Sequence, residues 1–301
     1  MTKRIRNACL SILSASLLSF GGLAFAQDAP IDADTMKEAT ESVESEVRSE
    51  TDKATAERRQ KILQEAVDAL AKTKEALTAL EEERIDDALD ALAVTTGKLE
   101  LIVARDPELA LAPTDVAIIT HDLYGTPEAI KTAIKGAEKA LDDGQVQRAR
   151  RILDGLGSEM IISVSNLPLA TYPKAIKAIT PLIDDGKIDE AKNSLQAALN
   201  TLVVTDHIVP LPALRAEALL ERTEELAEKS DRSDEENEEL SNKLAAARDQ
   251  VKMAELLGYG EKTDYKRLYA QLDDIDKKTR DGKSGKGIFD KLKNSMANLW
   301  S

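Results

Sequence analysis

Three nine-residue stretches align without a gap: LEEERIDDA at 80–88, LDDGQVQRA at 141–149 and IDDGKIDEA at 183–191. Each runs on to a leucine four residues later (Leu92, Leu153, Leu195) and to a proline fifteen residues beyond that (Pro107, Pro168, Pro210). The spacing predicts a repeated helical hairpin. The first helix ends at the acidic pair, and a left-handed residue caps it. Glycine supplies that residue in the second and third copies (Gly144, Gly186), and Glu83 stands in its place in the first. An aliphatic residue (Ile85, Val146, Ile188) packs back over the turn. A small alanine (Ala88, Ala149, Ala191) lets the two helices approach closely. The copies lie 61 and 42 residues apart, not the regular period of about 34 of tetratricopeptide repeats, so the hairpins form an irregular array.

Outward from these turns the helical period is plain. Ile62, Ala66, Ala69, Leu70, Thr73, Leu77 and Leu80 recur at spacings of three and four, which puts them on one helix face from about Thr55. Ile85, Ala88, Leu89, Leu92 and Leu99 continue the second helix of that hairpin. After the second and third copies the composition changes. Residues 160–165 and 202–209 are rich in β-branched side chains, and 116–120 resembles them. These read as short extended segments that pair in a small sheet, or as buried helix ends. Beyond Pro212 helices resume. Ser233 with Glu236 forms a capping box, and Leu240, Leu244, Ala247, Val251 and Ala254 step along one face as core packing. Leu257-Gly-Tyr-Gly260 ends that helix, and another spans Asp264 to about Lys278. The fold class is therefore mainly α: an irregular array of antiparallel hairpins in three degenerate copies, with long C-terminal helices.

The two ends differ from this body. Lys3, Arg4 and Arg6 precede an uncharged stretch from Asn7 to Gln27 that closes in Ala24-Phe25-Ala26, the pattern of a cleaved secretory signal. Its serines and Gly21-Gly22 pair make it a weak membrane anchor, the alternative reading. The only cysteine, Cys9, lies inside it and lacks the upstream aliphatic residue of a lipoprotein signal. Cleavage after Ala26 leaves 275 residues with no cysteine, which excludes disulfides and thiol chemistry. It also removes three positive charges, taking the formal charge from −14 to −17. A surface this acidic repels nucleic acid and anionic lipid. Residues 27–54 are acidic and sparse in apolar side chains, and read as poorly ordered, with a solvated helix from about Thr35 as the alternative. The helical domain then covers 55–276. Residues 277–301 form a basic tail in which Ile288, Phe289, Leu292, Met296, Leu299 and Trp300 make an apolar stripe. That stripe fits docking on the acidic body, or a membrane surface or partner.

Together the Asp-Asp-Gly turns, the Asn166-Leu-Pro-Leu and Val209-Pro-Leu steps and the Ala254-Glu-Leu-Leu-Gly-Tyr-Gly260 helix end resemble the YfdX family of exported bacterial proteins, over roughly Ala56 to Ile275. Their order and spacing carry the match. The first copy, with Glu83, and the basic tail depart from that pattern. The resemblance implies a helical periplasmic protein linked to stress tolerance, forming homo-oligomers with chaperone-like activity. It supplies no catalytic residues.

Candidate sites are few. His121 and His207 have no partners at metal-ligand spacing. Asp142-Asp143 and Asp184-Asp185 are turn residues, since a calcium loop spaces its ligands over about twelve residues. Residues 282–287 (GKSGKG) lack the form of a phosphate loop and read as a linker. No catalytic, cofactor-binding or metal site is assigned. The leading expectation is a non-enzymatic periplasmic stress-tolerance protein that binds client polypeptides as a homo-oligomer. Its carboxylates, titrating near about pH 4, make assembly pH-responsive. Alternatives are a small-molecule binding module of the cell envelope and a membrane-docked scaffold.

Overall fold

In the computed structural model, which describes residues 33–279 and 289–300, all three hairpin turns have one geometry. The left-handed position has φ of 60° at Glu83, 71° at Gly144 and 71° at Gly186. The next backbone N–H reaches back across the turn: Arg84 to Ala79 O at 2.8 Å, Gln145 to Ala140 O at 2.7 Å and Lys187 to Leu182 O at 2.8 Å. This bond marks a Schellman cap. Glu83 therefore adopts the conformation that glycine adopts elsewhere, at a cost of about 1–2 kcal/mol for an L-residue.

The hairpins are α3 (Gln64–Glu81) with α4 (Ile85–Arg105), α5 (Pro127–Asp142) with α6 (Val146–Leu153), and α8 (Thr180–Asp184) with α9 (Ile188–Leu199). Ala88, Ala149 and Ala191 are buried where the paired helices meet. The first and third hairpins pack on each other through α3 and α9. Leu80, Leu92, Ile183 and Leu195 share one core there, joined by Tyr172 and Ile176 of α7 (Tyr172–Lys177). The second hairpin sits apart from them, with α5 on α11 (Asp234–Leu257).

The extended segments pair in a sheet. Strands β1 (Leu111–His121), β2 (Glu159–Pro168) and β3 (Val203–Pro210) run antiparallel in the order β1-β2-β3. Their β-branched content suits a pleated surface. One face is closed: Val116, Met160 and Ile162 are buried against Ala54 of α2 (Glu44–Gln60) and Ile62.

The remaining helices build a second core. It joins α1 (Ala33–Ser42), α10 (Leu211–Glu228), α11, α12 (Lys262–Thr279) and α13 (Asp290–Trp300). At Ser233 both capping-box bonds form: Glu236 N–H to Ser233 Oγ at 3.2 Å, and Ser233 N–H to Glu236 Oε2 at 2.9 Å. Gly258, with φ of 85°, caps α11 through the bond from Tyr259 N–H to Ala254 O.

Two expectations change. From Ala33 onward the acidic N-terminal segment takes up its alternative reading, a helix, but one that is packed and not merely solvated. Met36, Thr40, Val43, Val47 and Thr55 form a buried stripe in which threonines take core positions, so the stripe is invisible to a count of apolar residues. Thr40 satisfies its hydroxyl locally by donating to Met36 O at 2.8 Å. The helix expected through Ile62 is also broken. α2 stops at Gln60, and Leu63 N–H donates to Pro113 O on β1 at 3.0 Å before α3 begins. In the tail, Phe289, Leu292 and Met296 are buried in the second core, and Lys293 pairs with Glu224. Ile288, the side chains of Leu299 and Trp300, the 282–287 linker and the 1–26 segment with Cys9 lie outside the described residues. Among the described residues no helix is long and apolar enough to cross a membrane.

The turns yield a stability test. Added Cβ atoms at Gly144 and Gly186 meet nothing within 4 Å, so only backbone strain opposes substitution there. Glu83→Gly should raise the melting temperature by about 1–3 °C, and Gly186→Ala should lower it by about 2–4 °C, in calorimetric scans. A drop on Glu83→Gly would contradict the strained-cap assignment.

Candidate functional site

Helix α10 enters with the run Leu211-Pro-Ala-Leu-Arg-Ala, and its one charge there is buried: the Arg215 side chain is 1% exposed. A guanidinium out of water needs a paired, hydrogen-bonded partner. Asp122, the residue after β1, supplies it with two bonds, from Nη1 to Oδ1 at 2.9 Å and from Nη2 to Oδ2 at 2.8 Å. Glu44 at the start of α2 stands 3.5 Å from Nη2, and the Tyr124 ring lies 5.4 Å from the guanidinium carbon. Burial works against the charge, but Asp122 and Glu44 outweigh it and raise the Arg215 pKa. Ser158, just before β2, donates its hydroxyl to Asp122 Oδ1 at 3.4 Å, and its N–H donates to the Tyr259 hydroxyl at 3.1 Å.

Beside this cluster lies a cavity of about 490 Å³, lined by Met36, Leu123, Tyr124, Arg215, Gln250 and Met253 among others. Arg215 Nε and Gln250 Oε1 are buried without a hydrogen-bond partner. The Gln250 amide is oriented by Thr40. That hydroxyl spends its proton on Met36 O, so it can only accept from Gln250 Nε2, at 3.1 Å.

The far face of the sheet is open. In the register, Ile119 pairs with Ile161 and Ile161 with Ile208, so the three isoleucines form one row across the strands. Ile119 is 53% exposed and Ile208 48%, and Val204 on the same face is 58% exposed. Ser163 donates to Asp206 on this face at 2.6 Å. Strands β1 and β3 have no further strand beside them among the described residues, so both edges present unpaired backbone groups.

The histidines named from sequence are not brought together. His121 pairs with Glu159 and His207 with Ile162, three positions apart on β2, which puts them on opposite faces. His207 is lowered in pKa by burial and by Arg58 and Lys61. The aspartate pairs lie at the hairpin turns. Among the described residues no three His, Cys, Asp or Glu side chains gather for a metal. The Arg215–Asp122 pair was missed from sequence. Its one signal was an arginine in an otherwise apolar helix start.

A cleft between α2 and α10 gathers Glu46, Glu50, Glu217 and Glu221. Arg222 bonds Glu46 and holds its carboxyl down to about 2. Glu217 is raised, first by burial and then by Glu221 and Glu50, with Lys293 opposing. A raised folded-state pKa contributes stability that is present at low pH and lost as pH climbs through the folded value. Glu217→Gln should therefore raise the melting temperature by a few degrees at pH 7 and leave it unchanged at pH 4. Equal effects at both would contradict this.

Residues 69–208 match the family model described as YfdX protein, a stretch that begins within α3 and ends within β3. A solved structure of YfdX from Salmonella Typhi is similar at 19% identity over 50% of this chain and 93% of that chain, with a TM-score of 0.35. No curated protein matches the chain. The matched stretch, residues 69–208, holds all three hairpin turns and most of the sheet, so it is this part of the chain that is similar to the YfdX family.

Proposed function

We propose that the protein is a non-enzymatic periplasmic stress-tolerance protein that holds apolar stretches of unfolding client polypeptides on the open face of its sheet. The observation that carries this reading is the row Ile119–Ile161–Ile208, exposed at both ends and half-buried at Ile161, with exposed Val204 beside it. Exposed apolar rows of this kind mark interaction surfaces. An unfolding chain is extended and apolar, and it can add to a free strand edge through backbone bonds while its side chains meet the isoleucines. The net charge of −14 on the chain keeps such a complex apart from others. A second reading, small-molecule binding, is supported by the cavity beside Arg215.

Acidity modulates the reading. Homo-oligomers of a chain at −14, or −17 without its first 26 residues, repel one another at neutral pH. Carboxylates protonate near about pH 4, and self-repulsion falls with them. Glu217, raised in pKa, protonates before free carboxylates do. The oligomeric state should shift between about pH 7 and pH 4 in sedimentation velocity. One unchanged species across that range contradicts the pH response.

Client holding is checked by light scattering of a reduced, aggregating client at pH 7. The doubly substituted Ile119→Ser, Ile208→Ser chain should keep its helical circular dichroism and lose at least half of the suppression. Full suppression by the folded variant overturns the assignment of this face.

A further inference from the structure

The second hairpin repeats the motif of the other two but leaves the motif's aliphatic set uncovered. In the first copy Leu80 and Leu92 are buried, in the third Ile183 and Leu195 are buried, and Ile85 and Ile188 pack against the same core. Those two sets are covered because hairpin one packs on hairpin three through α3 and α9. The equivalent residues of the second copy, Leu141, Val146 and Leu153, are 50%, 56% and 49% exposed. Everything else in the motif is kept. Gly144 holds the left-handed turn, Gln145 N–H reaches Ala140 O, and Ala149 is buried between α5 and α6. The scaffold that presents the aliphatic set is intact, and what it lacks is a facing hairpin.

We infer that this hairpin is a self-association face, covered by the second hairpin of another copy of this chain in the way that hairpins one and three cover each other. The charges favour this occupant. Over residues 138–154, Glu138, Asp142, Asp143 and Asp154 balance Lys139, Arg148, Arg150 and Arg151, in a chain whose net charge is −14. Most of the surface repels a second copy, and this tip does not. A twofold axis makes a self-complementary contact from one patch. Across it the α6 arginines of one copy can meet the turn aspartates of the other, while the aliphatic sets meet at the centre. The inference rests on the homo-oligomeric part of the proposed function and is independent of client holding, which uses the sheet.

The test uses the full chain with Cys9→Ser, so that one introduced cysteine is the only one. Val146→Cys treated with a short bismaleimide should give a covalent dimer in most of the protein, and Val94→Cys, exposed on α4, should give little. In sedimentation velocity at pH 7, Leu141→Glu with Leu153→Glu should raise the dimer dissociation constant at least about tenfold, the size of effect expected for buried anchors. All these positions are exposed in one copy, so circular dichroism should be unchanged. Absence of a Val146 cross-link, or unchanged sedimentation of the charge variant, overturns the inference. Loss of binding to anionic phosphatidylglycerol vesicles with sedimentation unchanged also overturns it and assigns the face to lipid. Retained client holding beside a failed cross-link sinks this inference alone. A successful cross-link beside failed client holding sinks the other reading alone.

Discussion

The structure turns on one buried ion pair. Arg215 is sealed inside the start of α10, and Asp122, at the end of β1, meets it with both carboxylate oxygens. Around them gather Glu44 from α2, Ser158 from the lead into β2 and, through Ser158, Tyr259 from the end of α11. A buried guanidinium stripped of its partner costs about 3–5 kcal/mol. The sheet and the C-terminal helices are thereby held in one arrangement. That arrangement closes one face of the sheet with α2 and leaves the other to solvent.

The hairpin motif has two fates on this frame. Copies one and three find each other and make a core. Copy two docks through α5 on α11 and keeps its aliphatic set outside. Local sequence thus determines the turn, whereas the neighbours determine whether the same residues are core or surface. The same holds for the sheet, where adjacent isoleucines have opposite environments. Ile162 is fully buried, while Ile161 is half-buried on the open face between exposed Ile119 and Ile208.

Much of this was legible from the residues. The left-handed turn positions, the Ser233 capping box and the extended character of 160–165 and 202–209 all follow from local chemistry, and all are present. Harder to read were features whose cause lies far along the chain. Thr40 and Thr55 are core residues only because α1 and α2 find neighbours, and Ile62 leaves its helix because Leu63 bonds to β1. Arg215 and Asp122 are 93 residues apart, and nothing near either one announces the other. Which sheet face is open was also invisible, since both faces carry β-branched residues.

The central claim is that the open sheet face is where other chains are held. Hydrogen–deuterium exchange of the protein alone and with an unfolding client at pH 7 tests it most directly. The account predicts slowed exchange confined to the edge strands, over 115–121 and 203–209, with the first and third hairpins unchanged. Slowing confined to the helices, or none at any strand, would contradict it.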